Sequence, residues 1–268
     1  MTLIQALVLA FVQGMTEFLP VSSSGHLALF GRLFGMKAPD INFDVVLHMA
    51  TLLAVLIYYR KQLIDLTVSL FLRKRGVGFA ESPLRFLFFV ILTSIPTGII
   101  GLALDSRMEK LHENLVFVGV CFFITAAMLL ITHRKQKKGI SGTALLSVSW
   151  WVPALIGVAQ GIAVLPGVSR SGFTIGAALL LGISATDSAD YGFLVSIPAI
   201  LGAFLLKLSG ISAMGFSLNY VLGFVLAFLV GLVSIRLVVI FVEKARLHYF
   251  AAYMAILSVL TLILGIVG

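Results

Sequence analysis

The sequence contains little charge and a single cysteine. Asp, Glu, Lys and Arg make up only 11% of its 268 residues, whereas a soluble domain is about a quarter charged. Cys121 by itself excludes an intrachain disulfide and any CxxC metal or redox motif, so we expect it to be a small core residue. The net charge of +8 is carried by no recognisable basic face of a soluble fold, which argues against a nucleic-acid partner.

Most of the sequence consists of long apolar runs. The chain is 60% hydrophobic and its mean hydropathy is +1.12. A helix needs about 20 apolar residues to cross a bilayer, so the sequence predicts an all-α, polytopic membrane protein that forms one membrane domain over residues 1–268. Its first residues lack the basic start and small-residue cleavage site of a signal peptide, and we expect them to stay in the mature protein. About six transmembrane helices are predicted, near 43–59, 86–104, 115–132, 191–206, 219–242 and 249–267.

Two further apolar regions, 1–35 and 145–184, are interrupted by glycine, proline and serine. Broken helices are tolerated at membrane depth only where the break is buried in protein or lines a wet cavity. The sequence therefore predicts two broken, re-entrant helical segments in addition to the spans.

The two breaks resemble each other. "QGMTEFLPVSSSGH" at 13–26 and "QGIAVLPGVSRSGF" at 160–173 share identical residues at a constant offset of 147. Three predicted spans separate them, and an odd number of crossings inverts the second copy. We therefore expect inverted repeats of approximately 1–135 and 145–268, whose breaks meet near the membrane midplane. The identical pairs are Gln13/Gln160, Gly14/Gly161, Val21/Val168, Ser22/Ser169, Ser24/Ser171 and Gly25/Gly172.

Acidic and basic residues near the span ends suggest an orientation. A one-residue slip of the repeat aligns Asp44 with Asp190, and both are expected to begin a span, where a carboxylate favours the helix dipole. The basic connections at 60–85, 133–138 and 244–246 fall on one face, which the positive-inside rule makes cytoplasmic. Both termini are then outside. Arg236, inside an apolar run, is expected to snorkel to the cytoplasmic interface.

The breaks carry groups suited to an anion. Each precedes a predicted helix, whose first N–H groups and positive dipole end bind phosphate well. Arg170 adds a planar cation whose fork matches phosphate oxygens, and a plain ion pair between Arg170 and Glu17, without substrate, is the alternative. The glycines allow close approach of the backbone, and the hydroxyls can donate. The predicted phosphate-binding residues are Ser22, Ser24, Gly25, Gly167, Ser169, Ser171, Gly172 and Thr174.

The first break also carries the residue types of nucleophilic catalysis with proton transfer, namely Glu17, Ser23 and His26. Gln13 lies one turn before Glu17, and the two could supply oxygen ligands to a divalent cation that phosphate oxygens complete. His48 is expected to pack or to form a hydrogen bond in its span. The remaining histidines, His112, His133 and His248, are expected at loop edges.

These motifs resemble those of the bacterial undecaprenyl pyrophosphate phosphatases, a family linked to bacitracin resistance, over essentially the whole chain. "QGMTE" resembles the family's (E/Q)xxxE motif, and "PGVSRSGFT" at 166–174 meets its PGxSRSxxT motif in full. Members often have Glu at the position of Gln13; Gln keeps an oxygen ligand but loses the charge.

The resemblance implies hydrolysis of undecaprenyl diphosphate to undecaprenyl phosphate at the bacterial inner membrane. It implies Glu17, Ser23, His26 and Arg170 as catalytic residues, assistance by Mg²⁺ or Ca²⁺, and a site that faces the periplasm. Two routes stay open: attack by Ser23, with Glu17 or His26 taking its proton, and attack by water activated by His26. A lipid-phosphate transporter or flippase using the same site is the alternative class. No pattern sets the oligomeric state, and a homodimer is compatible with the sequence.

Overall fold

The computed structural model describes residues 1–35, 41–72, 76–138, 142–207 and 217–267. Within these ranges the regular structure is helical, so the all-α prediction is confirmed. Arg73, Lys74 and Arg75, which were assigned to a basic connection, lie outside the described residues. The helices are α1 Leu3–Thr16, α2 Ser23–Leu33, α3 Ile41–Tyr58, α4 Arg60–Leu72, α5 Pro83–Leu104, α6 Met108–Glu113, α7 Leu115–Lys137, α8 Trp151–Ile162, α9 Arg170–Leu180, α10 Ala185–Leu194, α11 Ser196–Lys207, α12 Leu218–Glu243 and α13 His248–Val267.

Five stretches of the described residues are long and apolar enough to cross a membrane, and a bent pair makes a sixth. The bent pair joins α3 to α4 at an angle of 66°. The prediction of about six spans is confirmed. α1 and α8 are shorter apolar helices that end at the two interruptions, as the sequence predicts. The five stretches are Pro83–Arg107, Leu115–Lys137, Ala185–Leu206, Leu218–Glu243 and His248–Val267.

The predicted connection at 60–85 is largely helical. α4 begins at Arg60, and α5 begins at Pro83, a residue favoured in the first turn because its fixed φ suits a helix. Arg85 therefore lies inside α5, where Nη2 donates to the carbonyl of Val148 at 3.0 Å.

Asp190 does not begin a span. Ser184 caps α10 by accepting from the backbone N–H of Asp187, so the helix begins a turn and a half before Asp190. The Asp190 carboxylate instead accepts from Tyr59 at 2.9 Å and from Gln62 at 3.0 Å. Asp44 lies in the first turn of α3, as predicted.

One of the three histidines predicted at loop edges, His133, differs from the prediction, whereas His112 and His248 lie at helix ends. His133 is not at a loop edge but buried in α7, and its Nδ1 donates to the carbonyl of Ala245 at 2.9 Å. His112 lies within α6, and His248 begins α13. Arg236 is exposed on α12.

The short helices before the breaks lie against long ones. α1 packs along α12, α8 packs along α5, and α7 packs along α13. Gly14 brings α1 close to α12, because a Cβ there would lie 2.8 Å from the carbonyl oxygen of Ala227. Gly157 brings α8 still closer to the backbone of α5, at Thr93. Close backbone approach is what small residues provide in membrane helix packing.

The turn that follows α8 is pressed against α7. Gly167 has φ +93°, and a Cβ there would lie 2.6 Å from the carbonyl oxygen of Val118 and 2.7 Å from Cβ of Cys121. Thr125 fixes the same turn, because its hydroxyl donates to the carbonyl of Gly167 at 3.1 Å and accepts from the N–H of Ser169 at 3.1 Å. Cys121 is buried, which agrees with its predicted place in the core.

Gly167→Ala should lower the midpoint of thermal unfolding clearly more than Gly182→Ala. Both glycines have φ near +90°, where an alanine costs about 1–2 kcal/mol. Of these two glycines only Gly167 is crowded, since the space around Gly182 is open. A methyl group at Gly167 should therefore lower the free energy of unfolding by about 1–3 kcal/mol more, the usual cost of overpacking. Unfolding of the two variants in the same detergent measures the difference. Equal midpoints would contradict the tight contact between this turn and α7.

Candidate functional site

Each break ends in a serine that caps the next helix. Ser22 caps α2 by accepting from the N–H of Gly25 at 3.4 Å, and Ser169 caps α9 by accepting from the N–H of Gly172 at 3.1 Å. Ser22 has φ +65°, a region that non-glycine residues seldom adopt, whereas Ser169 is extended. The first N–H groups of both helices have no partner within the helix and give each break a positive end.

Glu17 is the centre of the site. It follows α1 directly and is only 5% exposed. Arg170, the first residue of α9, donates from Nη2 to Oε1 of Glu17. The other carboxylate oxygen accepts from Oγ of Ser23 at 2.6 Å and from Nε2 of Gln13 at 3.0 Å. One buried carboxylate thus joins groups from α1, from the first break and from the second.

The two breaks also touch through their backbones. Ser171 donates from Oγ to the carbonyl of Leu19 at 3.1 Å. A Cβ on Gly172 would lie 3.3 Å from Cβ of Pro20, and a Cβ on Gly25 would lie 3.0 Å from Cα of Gly167. The glycines that were expected to admit a ligand therefore bring the two turns together.

The hydroxyls of the predicted phosphate-binding set fall into two groups. Ser22, Ser169, Ser171 and Thr174 are buried, and Thr174 donates to the carbonyl of Arg170 at 2.6 Å. Their hydrogen bonds fix the turns. Ser24 is partly exposed, as is Ser23, and the Arg170 side chain is 24% exposed. A ligand that reaches the site therefore meets Ser23, Ser24 and the guanidinium first.

His26 is oriented away from the Ser23–Glu17 contact. Its Nδ1 lies 2.7 Å from the carbonyl oxygen of Ser22, and a carbonyl only accepts, so Nδ1 carries the proton. Nε2 of the neutral ring is then an acceptor, and it receives the hydroxyl of Tyr253 at 2.7 Å. The group in hydrogen-bond contact with the Ser23 hydroxyl is Glu17.

Three residues near the site were given no functional role from the sequence. His48 is one, because its Nε2 lies 3.9 Å from Oε2 of Glu17, while its Nδ1 donates to the carbonyl of Asp44 at 2.8 Å. Thr125, which bonds to the turn at Gly167, and Tyr253, which bonds to His26, are the others. A lone polar residue in an apolar run was the only signal available, and it does not tell which neighbour the residue meets.

A cation would find few protein ligands here. Among the described residues no group of three or more His, Cys, Asp and Glu is placed to hold a metal ion. Gln13 is fully buried, and its Oε1 has no hydrogen-bond partner, which is unusual for a buried polar atom. Both oxygens of Glu17 already accept hydrogen bonds. The pair therefore fits a hard cation only as part of a shell that a ligand completes.

Fold and site together define a multi-pass membrane protein with a polar site at the contact of two helix breaks. The chain belongs to the family of the bacitracin resistance protein BacA, whose model matches residues 6–260.

Three similar proteins are each described as an undecaprenyl-diphosphatase. The chain is 41% identical to the undecaprenyl-diphosphatase of Desulfosudis oleivorans, with 98% of both chains covered. It is 37% identical to that of Desulforapulum autotrophicum over the full length of both chains. It is also 37% identical to that of Thermosipho melanesiensis, over 97% of this chain and 98% of the relative. The family that the two motifs predicted is confirmed.

Proposed function

We propose that this protein hydrolyses undecaprenyl diphosphate to undecaprenyl phosphate and inorganic phosphate, which returns the carrier lipid to cell-wall synthesis. The observation that carries the proposal is the contact of Ser23, Glu17 and Arg170 between two helix N-termini. The contact of a hydroxyl, a carboxylate and a guanidinium supports the roles of nucleophile, proton acceptor and phosphate-binding cation for these three groups. Membership of the BacA family and relatives described as undecaprenyl-diphosphatases support the same activity and a role in bacitracin resistance.

The geometry favours Ser23 as the nucleophile and Glu17 as its base. As Oγ of Ser23 attacks the terminal phosphorus, its proton passes to Glu17 across the 2.6 Å hydrogen bond. The bond from phosphorus to the bridging oxygen breaks, and undecaprenyl phosphate leaves. Water then attacks the phosphoserine, the bond from phosphorus to Oγ of Ser23 breaks, and Glu17 returns its proton to Oγ as inorganic phosphate is released. Arg170 and the helix N-termini stabilise the charge on the transferred phosphoryl group.

Substrate binding would change the partner of Arg170. Without a ligand the guanidinium is held by Glu17. A diphosphate offers it two or more oxygens in fork geometry, a stronger arrangement than a single contact. Once Arg170 turns to the phosphate, Glu17 loses a neighbouring positive charge and becomes a more ready proton acceptor.

We propose in addition that a divalent cation, Mg²⁺ or Ca²⁺, assists. Gln13 offers an unpartnered buried oxygen, and Glu17 a carboxylate one turn away. Phosphate oxygens of the substrate would complete the shell. The ion would supply charge neutralisation at the diphosphate.

We propose that the halves of the chain are inverted copies. α1 with α2 corresponds to α8 with α9, and the packing of α1 on α12 has its counterpart in that of α8 on α5. In this arrangement the site opens to the outer face of the inner membrane, opposite the basic connections, and the isoprenoid tail lies against the apolar helices.

Release of phosphate from undecaprenyl diphosphate by the purified protein tests the activity. We expect turnover with Mg²⁺ or Ca²⁺ and its loss with a chelator. Arg170→Lys should lose about 10²–10³-fold in kcat, the usual cost of one transition-state donor, because lysine keeps the charge but not the fork. Arg236→Lys, the same change at an exposed arginine, is the control and should stay active.

A folded protein that releases no phosphate would contradict the proposed function. If the same protein moved labelled lipid across a vesicle without hydrolysis, it would be a transporter. Turnover that survives the chelator would remove the cation from the mechanism.

Ser23→Ala should be far more damaging than Ser24→Ala. The first change removes the hydroxyl next to Glu17 and should lower kcat by about 10³ or more, as expected when a nucleophile is lost. The second removes a neighbouring, equally accessible hydroxyl, which contacts Oγ of Ser22 at 3.3 Å. Phosphate release by the two variants makes the comparison. Equal, mild losses would favour direct attack by water.

The proposed sidedness predicts labelling from outside. In a Cys121→Ala background, Ser24→Cys should react with a membrane-impermeant maleimide added to intact cells, because Ser24 is partly exposed at the site. Lys137→Cys, at the exposed basic end of α7, should react only in inverted vesicles. Labelling of Ser24→Cys in inverted vesicles alone would place the opening on the cytoplasmic side.

A further inference from the structure

The His26 ring contacts two aromatic rings and is hydrogen-bonded at both nitrogens. Tyr253 stacks on it with ring centroids 5.7 Å apart and an interplanar angle of 13°, and Phe122 packs against it at 5.6 Å. One ring nitrogen bonds to the carbonyl of Ser22 and the other to the Tyr253 hydroxyl. The histidine is only 3% exposed. These contacts leave the ring no other orientation and make it a fixed part of the α2 turn.

The carbonyl that His26 holds belongs to the most strained residue of the break. Ser22 has φ +65°, and such a conformation persists only when its surroundings over-determine it. Its carbonyl oxygen accepts twice from His26, from the backbone N–H at 3.2 Å and from Nδ1 at 2.7 Å. Ser23 is the next residue, so the direction of its side chain toward Glu17 depends on this conformation.

The carbonyl of Ser22 favours a proton on Nδ1 of His26, and the hydroxyl of Tyr253 stabilises that tautomer by donating to Nε2. While Nε2 accepts from this hydroxyl, Nδ1 must be the donor to Ser22. Without that hydroxyl the other tautomer becomes accessible, and a lone pair on Nδ1 would then face the lone pairs of the Ser22 carbonyl. The hydrogen bond to Ser22 would be lost in that tautomer.

We propose that Tyr253 is a positioning residue of this site, which stabilises the Nδ1-protonated tautomer of His26 and, through the Ser22 carbonyl, the direction of the Ser23 hydroxyl. The inference rests on the proposed function, since Ser23 is taken as the nucleophile. Tyr253 acts through His26, because its hydroxyl bonds to that ring whereas the Ser23 hydroxyl bonds to Glu17.

A hydroxyl from a neighbouring helix also holds the second break, and this parallel supports the role of Tyr253. Thr125 of α7 binds the carbonyl of Gly167 and the N–H of Ser169 directly. Tyr253 belongs to α13, which packs along α7. α7 and α13 therefore each contribute one hydroxyl that helps to hold one break. The α7 hydroxyl reaches the backbone itself, whereas the α13 hydroxyl reaches it through His26.

Tyr253→Phe removes the hydroxyl and keeps the stacked ring. We expect kcat for undecaprenyl diphosphate to fall about 5- to 20-fold, the effect of losing one hydrogen bond of about 1–1.8 kcal/mol. KM and the unfolding midpoint should stay near those of the wild type, since the residues that bind substrate and the packing of the ring are unchanged. Tyr249→Phe is the matched control, one turn earlier on α13 and exposed, and should leave kcat unchanged. A normal kcat in Tyr253→Phe would overturn the proposal.

A double-mutant cycle tests whether Tyr253 acts through His26. In a His26→Ala background, Tyr253→Phe should cause no further loss of kcat, because the link is already cut. If Tyr253→Phe lowered kcat by the same factor in the His26→Ala background as in the wild type, the proposed route through His26 would be wrong.

The tautomer has a readout that does not need activity. In ¹⁵N-histidine-labelled protein, with His26 assigned by comparison with His26→Gln, we expect protonated Nδ1 and acceptor Nε2 in the wild type. In Tyr253→Phe both nitrogen signals should move toward a mixture of tautomers. Unchanged signals would overturn the proposal, whereas a wild type that shows the expected signals but no phosphate release would contradict only the proposed function.

Discussion

The ion pair between Glu17 and Arg170 is the interaction on which the site depends. A carboxylate buried this deeply among apolar helices is costly to leave unpaired. Its partner comes from the other half of the chain, so neither half satisfies its charge alone. The pair therefore selects the arrangement in which the two breaks meet. Once they meet, the positive ends of α2 and α9 lie beside the same carboxylate, and the chemistry of the site follows from that contact.

The remaining polar groups of the breaks are mostly used to maintain the contact. Ser169 and Thr174 bind backbone atoms of the second break, while Ser171 crosses to Leu19 of the first. Gly167 lets the second turn lie against α7. An active site built from loops at membrane depth must satisfy its own backbone in this way. The part of the site that a ligand can reach is small: Ser23, Ser24, the ion-paired guanidinium of Arg170 and the half-buried ring of His48.

The sequence predicted the spans, the two breaks and the family, because each of these depends on residues that are close together in the sequence, in apolar runs and short motifs. From the general cost of an isolated buried charge it gave Glu17 as one of two possible partners of Arg170, the other being a substrate phosphate. It misplaced Asp190, because the start of α10 depends on the Ser184 cap, and it placed His133 at a loop edge although α7 continues through it. The roles of Thr125 and Tyr253 could not be predicted, since a hydroxyl in an apolar helix gains meaning only from the helix it faces.

The same ion pair links binding to chemistry in the proposed mechanism. With Arg170 on Glu17, the carboxylate is neutralised by a cation while it holds the Ser23 hydroxyl. A diphosphate competes for the guanidinium with more oxygens than one carboxylate can offer. The base is therefore released when the phosphoryl group arrives, and it stays paired when the site is empty of substrate. The nucleophile needs no such switch, because the Ser22 turn that directs it is held by His26 and lies outside the exchange of partners.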